Sequence, residues 1–350
     1  MTNSTPNGTT LLQDNSEALH GQLTAWFVLL ITFSLFGIIS NALLLRIIAN
    51  HKKLRNDCSR LIIHLLITSL IMCGIHFPIN AVVIYGKAYW FVAVPSNICT
   101  YIYSIQVATA NASNWTEAWL AINRLVAIIF PYHYPKWVAP WPFRAMVAFS
   151  WGMGIATVLP IALGFAGSFV MSGLGHCAML PGARSLVSII FLGVSAYGPY
   201  IIVGVVLVVI LGHSMTFRTV KVTAPADKQE VAQSAPTIQL RSRRFRVARM
   251  LLVSFVFCLV CNIPTYALLS LGARVLVRHP LIFVWMRLSL ISQYAFSPII
   301  FLCFNQDYRA ELRRIVTRPG RRLGSFTEQG GSICPKDSGT LLRAQKESNL

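Results

Sequence analysis

Charge is what this sequence has least of. Only 12% of its 350 residues are Asp, Glu, Lys or Arg, about half of the roughly 25% that soluble proteins carry. That leaves too little polar surface to keep a chain of this length in water, which argues against a soluble enzyme. Cysteine is also scarce. Eight Cys beside 20 Phe, 11 Tyr and 8 Trp exclude a small disulfide scaffold, a collagen and a disordered chain. What remains is a polytopic membrane protein with mean hydropathy +0.60. The net charge of +19 would suggest nucleic acid in a soluble protein. In a membrane protein it reads as loop bias, so its distribution decides.

A membrane-crossing helix needs roughly 20 mostly apolar residues. Seven stretches qualify, numbered here as spans 1 to 7: Trp26 to Ala49, Leu61 to Tyr85, Ile98 to Phe130, Ala145 to Phe165, Leu186 to Leu211, Val247 to Leu271 and Leu281 to Phe304. The gaps are polar, Pro-rich or basic. No stretch alternates like a strand between turns, which excludes a β-barrel. The expected fold is an all-α membrane protein, a seven-transmembrane helix bundle.

Twenty-five of the 30 Lys and Arg fall on the side of the C-terminal tail, leaving Lys87, Arg184, Arg274, Arg278 and Arg287 on the other. The positive-inside rule then places the N-terminus outside the plasma membrane and the tail in the cytoplasm. The lipid bilayer accounts for the basic excess, and no nucleic-acid partner is implied. Residues 1–25 are expected to be an extracellular segment with glycosylation acceptors at Asn3 and Asn7. They lack a basic n-region and an apolar core, so span 1 is expected to act as signal-anchor in place of a cleaved signal peptide.

Cys99 opens span 3 and Cys177 lies in the loop after span 4, the only two Cys on the oxidising outer side. A bridge between them would tie the top of span 3 to that loop; two unrelated thiols is the other reading. Arg124 follows Cys99 by 25 residues. Further landmarks recur in order: Asn41 in Gly37-Ile38-Ile39-Ser40-Asn41, Asn123-Arg124-Leu125 followed by Pro131, Trp151 and Pro160, Pro199, Cys261-Asn262-Ile263-Pro264, and Ser297-Pro298-Ile299-Ile300-Phe301. From about Ile38 to Arg314 this pattern resembles the rhodopsin-like (class A) G-protein-coupled receptors. Tyr308-Arg309 then lies within residues 305–316, which resemble that family's amphipathic membrane-surface eighth helix, before a tail over 317–350 expected to be disordered.

The resemblance implies a receptor that couples an extracellular ligand to a heterotrimeric G protein, with arrestin as a further partner through Ser and Thr of the tail. It assigns coupling and switching to Asn123, Arg124, Pro131, Asn262, Pro264, Ser297, Pro298 and Phe301. Several residues depart from the family. Leu125 ends a motif that normally reads Asp-Arg-Tyr, Asn262 replaces Trp, and Ser297 and Phe301 replace the Asn and Tyr of Asn-Pro-x-x-Tyr. Ser69 stands where the family usually has a sodium-binding Asp, and Leu207 where it often has Tyr. Asn-Arg in place of Asp-Arg is similar to melatonin receptors and the arthropod Moody and Trapped-in-endoderm receptors.

Ionisable residues at membrane depth are functional candidates, because insertion scales put their cost at about 2.5–3.5 kcal/mol. Arg124, by resemblance, gates the G-protein cavity; otherwise it snorkels. Glu117 is the only acid inside the seven stretches. With Ser69 replacing the Asp of span 2, Glu117 is read as a buried acid near Asn41, Ser69, Ser113, Gln293 and Ser297. The alternative is a protonated Glu bonded to one neighbour. Arg287 lies at ligand-cavity depth in span 7 with no acid nearby in the spans, so it favours a carboxylate or phosphate, or else it snorkels to the outer headgroups. By resemblance, Gln106, Ala110, Thr265, Tyr266, Leu269 and Arg287 line the ligand cavity. Gln106 occupies the place of the amine receptors' Asp, and span 7 has no Lys for retinal, so neither a monoamine nor a visual pigment is implied.

There is no Gly-rich phosphate loop, no His-Glu-x-x-His and no paired carboxylates. Hence no enzyme activity, cofactor or metal is expected, and His64, His76 and His213 read as packing or hydrogen-bonded residues. The rival architecture is a transporter or channel, which predicts a continuous polar path and broken helices at midplane. A receptor fold that no longer signals alone is a third reading.

Overall fold

The computed structural model describes residues 8–50, 57–90, 95–165, 167–171, 174–181, 186–220, 249–250, 252–265, 267 and 280–317. Span 1 belongs to the helix Gly8–Asn50. Span 2 runs as Asp57–Ile71 and Phe77–Tyr89, joined by a π-helical turn, Met72–His76. Span 3 is Ser96–Ile129, span 4 Pro140–Ala162, span 5 Leu186–Val220 and span 7 Pro280–Phe304. Of span 6 the helix Leu252–Thr265 is described. The short helix Gln306–Thr317 follows span 7, one residue later at each end than expected. Asn3, Asn7, Tyr266, Leu269 and the tail from 318 lie outside the described residues.

Lipid offers backbone groups no partner, so each span closes its own hydrogen bonds as a helix. Hydroxyls follow the same rule: Thr32, Ser69, Thr116, Ser150 and Ser297 each donate to the carbonyl one turn earlier in their own helix. The helices approach through small residues. A Cβ on Gly37 would come 2.5 Å from Cys73 Sγ and 3.2 Å from Ala295 Cα, and one on Gly154 would come 2.5 Å from Ala108 O. Such contacts let backbones pack where no hydrophobic drive separates helix from lipid. Asn41 fastens span 1 to span 7 by donating to Gly37 O and Tyr294 O. Trp26, Phe77, Val284 and Ile291 fill the outer core, while Leu44, Leu65, Leu120 and Phe301 fill the inner one. Leu207 packs with Val206 and Ile210 against Trp115 and Ala118 of span 3.

Three features add to the sequence reading. The helix of span 1 begins at Gly8, so much of the stretch 1–25 is helical; its polar residues lower hydropathy without breaking the helix. The loop after span 4 holds two antiparallel strands, β1 (Gly167–Met171) and β2 (Cys177–Pro181), paired from Gly167 with Pro181 to Met171 with Cys177. Gly175, at φ +83°, takes the left-handed turn between them. Among the described residues, five helices are long and apolar enough to cross a membrane on composition alone. Span 3 has the length, with 34 residues, but Gln106, Asn111, Asn114 and Glu117 lower its hydropathy.

Candidate functional site

The half of the bundle that holds Cys99 contains a cavity lined in part by Met72, Tyr103, Gln106, Ala110, Asn262, Thr265, Arg287 and Tyr294. Gln106, Ala110, Thr265 and Arg287 are four of the six liners named from the sequence.

Arg287 is only 4% exposed and points into the bundle. Its Nη1 donates to Gln106 Oε1 at 3.0 Å, and its Nη2 donates to Cys177 O at 3.2 Å and to His176 Nδ1 at 3.4 Å. The Tyr103 ring lies under the guanidinium, 4.9 Å from carbon to ring centre. Gln106 Oε1 accepts a second bond, from Asn80 Nδ2 at 2.8 Å, and so joins spans 2, 3 and 7. All of these partners are neutral.

The hairpin reaches this cluster because Cys99 and Cys177 are bridged, with Cα atoms 5.6 Å apart. The bridge places β2 over the cavity and brings His176 down onto Arg287, with its ring against Phe283. An arginine only donates, so His176 Nδ1 accepts and its imidazole is neutral. Burial first, and then the neighbouring guanidinium, hold its pKa well below the ordinary 6.5. Asn80, Tyr103 and His176 are functional neighbours that sequence reasoning misses. The glycine turn ahead of Cys177 is the one signal that could point to His176.

A second polar group lies deeper. Glu117 accepts from Cys258 Sγ at 3.3 Å and from Gln293 Nε2 at 3.4 Å. Gln293 Oε1 accepts from Asn262 Nδ2 at 2.5 Å, and the same Asn262 Nδ2 donates to Cys258 O at 2.8 Å. Of the polar neighbours expected for Glu117, this set includes Gln293 alone. Asn41 serves the backbone contact of spans 1 and 7, Ser69 donates to Leu65 O, Ser113 accepts from Thr68, and Ser297 donates to Gln293 O. Helical phase explains the split, since residues at one depth still point to different sides of their helices. At the other end of the bundle, Asn123 and Arg124 are buried in span 3, Pro298 and Phe301 are buried in span 7 and Pro131 is exposed, whereas Pro264, next to Thr265 of the cavity wall, is partly buried. His64, read as hydrogen-bonded, accepts from Trp151 Nε1 at 3.0 Å and meets Thr116 at 3.1 Å.

Comparison with known proteins agrees with this geometry. The model of the 7 transmembrane receptor (rhodopsin family) matches residues 40–301. The galanin-like G-protein coupled receptor npr-9 of Caenorhabditis elegans is 23% identical over 339 residues, covering 89% of this chain and 76% of its own length. The substance-K receptor of Mus musculus is 22% identical over 305 residues, covering 83% and 75%. The G-protein coupled receptor moody of Drosophila melanogaster is 26% identical over 113 residues, covering 31% and 17%. These matches do not favour a transporter or channel.

Proposed function

The chain belongs to the rhodopsin family of seven-transmembrane receptors and is a G-protein-coupled receptor, and from that premise we propose that its extracellular ligand presents an acidic group to Arg287. The observation that carries this reading is a guanidinium 4% exposed on the wall of the outer cavity, whose hydrogen-bond partners among the described residues are neutral. A carboxylate or phosphate entering the cavity would supply the missing charge and a planar match to the fork of donors.

The receptor sits in the plasma membrane with its N-terminus outside, as the charge asymmetry of its loops supports. Ligand binding favours a state in which span 6 moves outward about Pro264, to the extent that the ligand binds that state more tightly. Arg124, the Pro131 loop and the inner end of span 6 then meet the G protein, and arrestin engages Ser and Thr of the tail.

The test is a second-messenger screen of carboxylate- and phosphate-bearing compounds, with Arg124→Ala as the uncoupled control. A charge-assisted bond contributes about 1.5–3 kcal/mol, so Arg287→Gln should lower the potency of an agonist roughly ten- to a hundredfold. Arg287→Lys should recover only part of that, because an ammonium lacks the planar fork. Unchanged potency in Arg287→Gln at matched surface expression overturns the acidic-ligand reading.

A further inference from the structure

Glu117 and the three residues around it form a closed circuit across three helices. Cys258 and Asn262 stand one turn apart on span 6. Cys258 donates to Glu117 of span 3, and Asn262 donates to Gln293 of span 7. Gln293 donates onward to Glu117, and Asn262 closes the loop on Cys258 O. Asn262 is 2% exposed, Gln293 1% and Cys258 2%, while Glu117 is partly buried, so water competes little for the bond between Asn262 and Gln293.

The position of the ring in the bundle matters as much as its bonds. Asn262 lines the outer cavity, whereas Glu117 and Cys258 line a second, mostly apolar space nearer the cytoplasm, with Pro199, Met250 and Phe301. Asn114 lines both. The ring is therefore the floor of one cavity and the roof of the other, and within the first a ligand can reach Asn262 directly.

Displacing span 6 from spans 3 and 7 breaks two of these bonds at once, Cys258 to Glu117 and Asn262 to Gln293. The bond inside span 6 and the one between Gln293 and Glu117 survive. We propose that this ring is a latch that holds span 6 in the resting position, with Glu117 as its acceptor on span 3 and Asn262 as the member open to the ligand cavity. Its link to signalling rests on the reading that the active state displaces span 6, and the test separates the two.

Glu117→Leu and Gln293→Leu each remove an acceptor for span 6, and Glu117→Gln keeps an oxygen that can accept from Cys258. Basal G-protein activation is read with dissociation sensors covering the Gα classes, divided by surface receptor. Loss of one or two net hydrogen bonds corresponds to about a two- to tenfold rise in basal signal. Glu117→Gln should fall between wild type and Glu117→Leu, and the double variant should rise above either single one, because each single variant leaves the other bond to span 6 in place. Ser292→Ala, whose hydroxyl serves only Leu288 O of its own helix, should leave the signal unchanged.

Spin labels at Trp141→Cys on span 4 and Arg249→Cys at the inner end of span 6, in a receptor lacking Cys58, Cys303 and Cys334, read the helix position without any G protein. The latch requires Glu117→Leu to lengthen or broaden that distance. An unchanged distance, or reduced surface expression with no gain in distance or basal signal, overturns it. A lengthened distance without basal signal keeps the latch and overturns the reading that displaced span 6 suffices for signalling.

Discussion

His176 has to stay neutral where it sits, because its Nδ1 lone pair faces Arg287 and protonation would set two cations 3.4 Å apart. Its pKa in the folded receptor is therefore below that of the unfolded chain. Below about pH 6.5 the unfolded chain takes up a proton that the folded one does not, so this residue's share of stability is complete above that pH and is lost as pH falls through it. The melting temperature of the purified receptor should decline from pH 7.5 to pH 5.5, and His176→Gln should flatten part of that decline. An identical slope in the variant would mean that other groups carry the acid sensitivity. How much of the site is visible in the sequence follows from the same residues. Arg287, Gln106 and Glu117 stand out because charge or amide at membrane depth is costly and therefore conspicuous. His176, Asn80 and Tyr103 do not, because nothing local marks which way a loop histidine or a helix-face asparagine points.

The individual helices differ in how readily they are read. Spans 1, 2, 4, 5 and 7 announce themselves, since a long apolar run has one use in a chain this hydrophobic. Span 3 is found only by accepting polar residues that the bundle interior later occupies. The hairpin escapes because strands of five residues each are too short for alternation to show. Its position depends on the Cys99–Cys177 bridge and on Phe169, which packs against Tyr103 and Ile161. Packing between helices leaves a sharper trace in small residues. Gly154 has no room for a side chain beside Ala108 O, whereas Gly152 has nothing within 4 Å. Gly154→Val should push spans 3 and 4 apart, destabilise the receptor by about 1–3 kcal/mol and lower both its melting temperature in detergent and its surface expression. Gly152→Val should do neither, and equal effects from the two would show that side-chain bulk at this contact is not what matters.

For the molecule as a whole, the distribution of Lys and Arg supports the proposed orientation, which can be checked without any ligand. An epitope fused before Met1 should be labelled on intact cells, and one fused after Leu350 only after permeabilisation. Glycosidase treatment should increase the mobility of the wild-type receptor and leave an Asn3→Gln, Asn7→Gln double variant unchanged. The reverse labelling pattern would invert the reading of every loop. The helix that carries span 1 adds a mechanical consequence. At 43 residues and 1.5 Å per residue it is about 65 Å long, roughly twice the hydrocarbon thickness. Its outer part is braced where Tyr89 Oη donates to His20 O and meets Thr24. The turns from Gly8 to the brace at His20 thus project past it like a mast stepped on span 2.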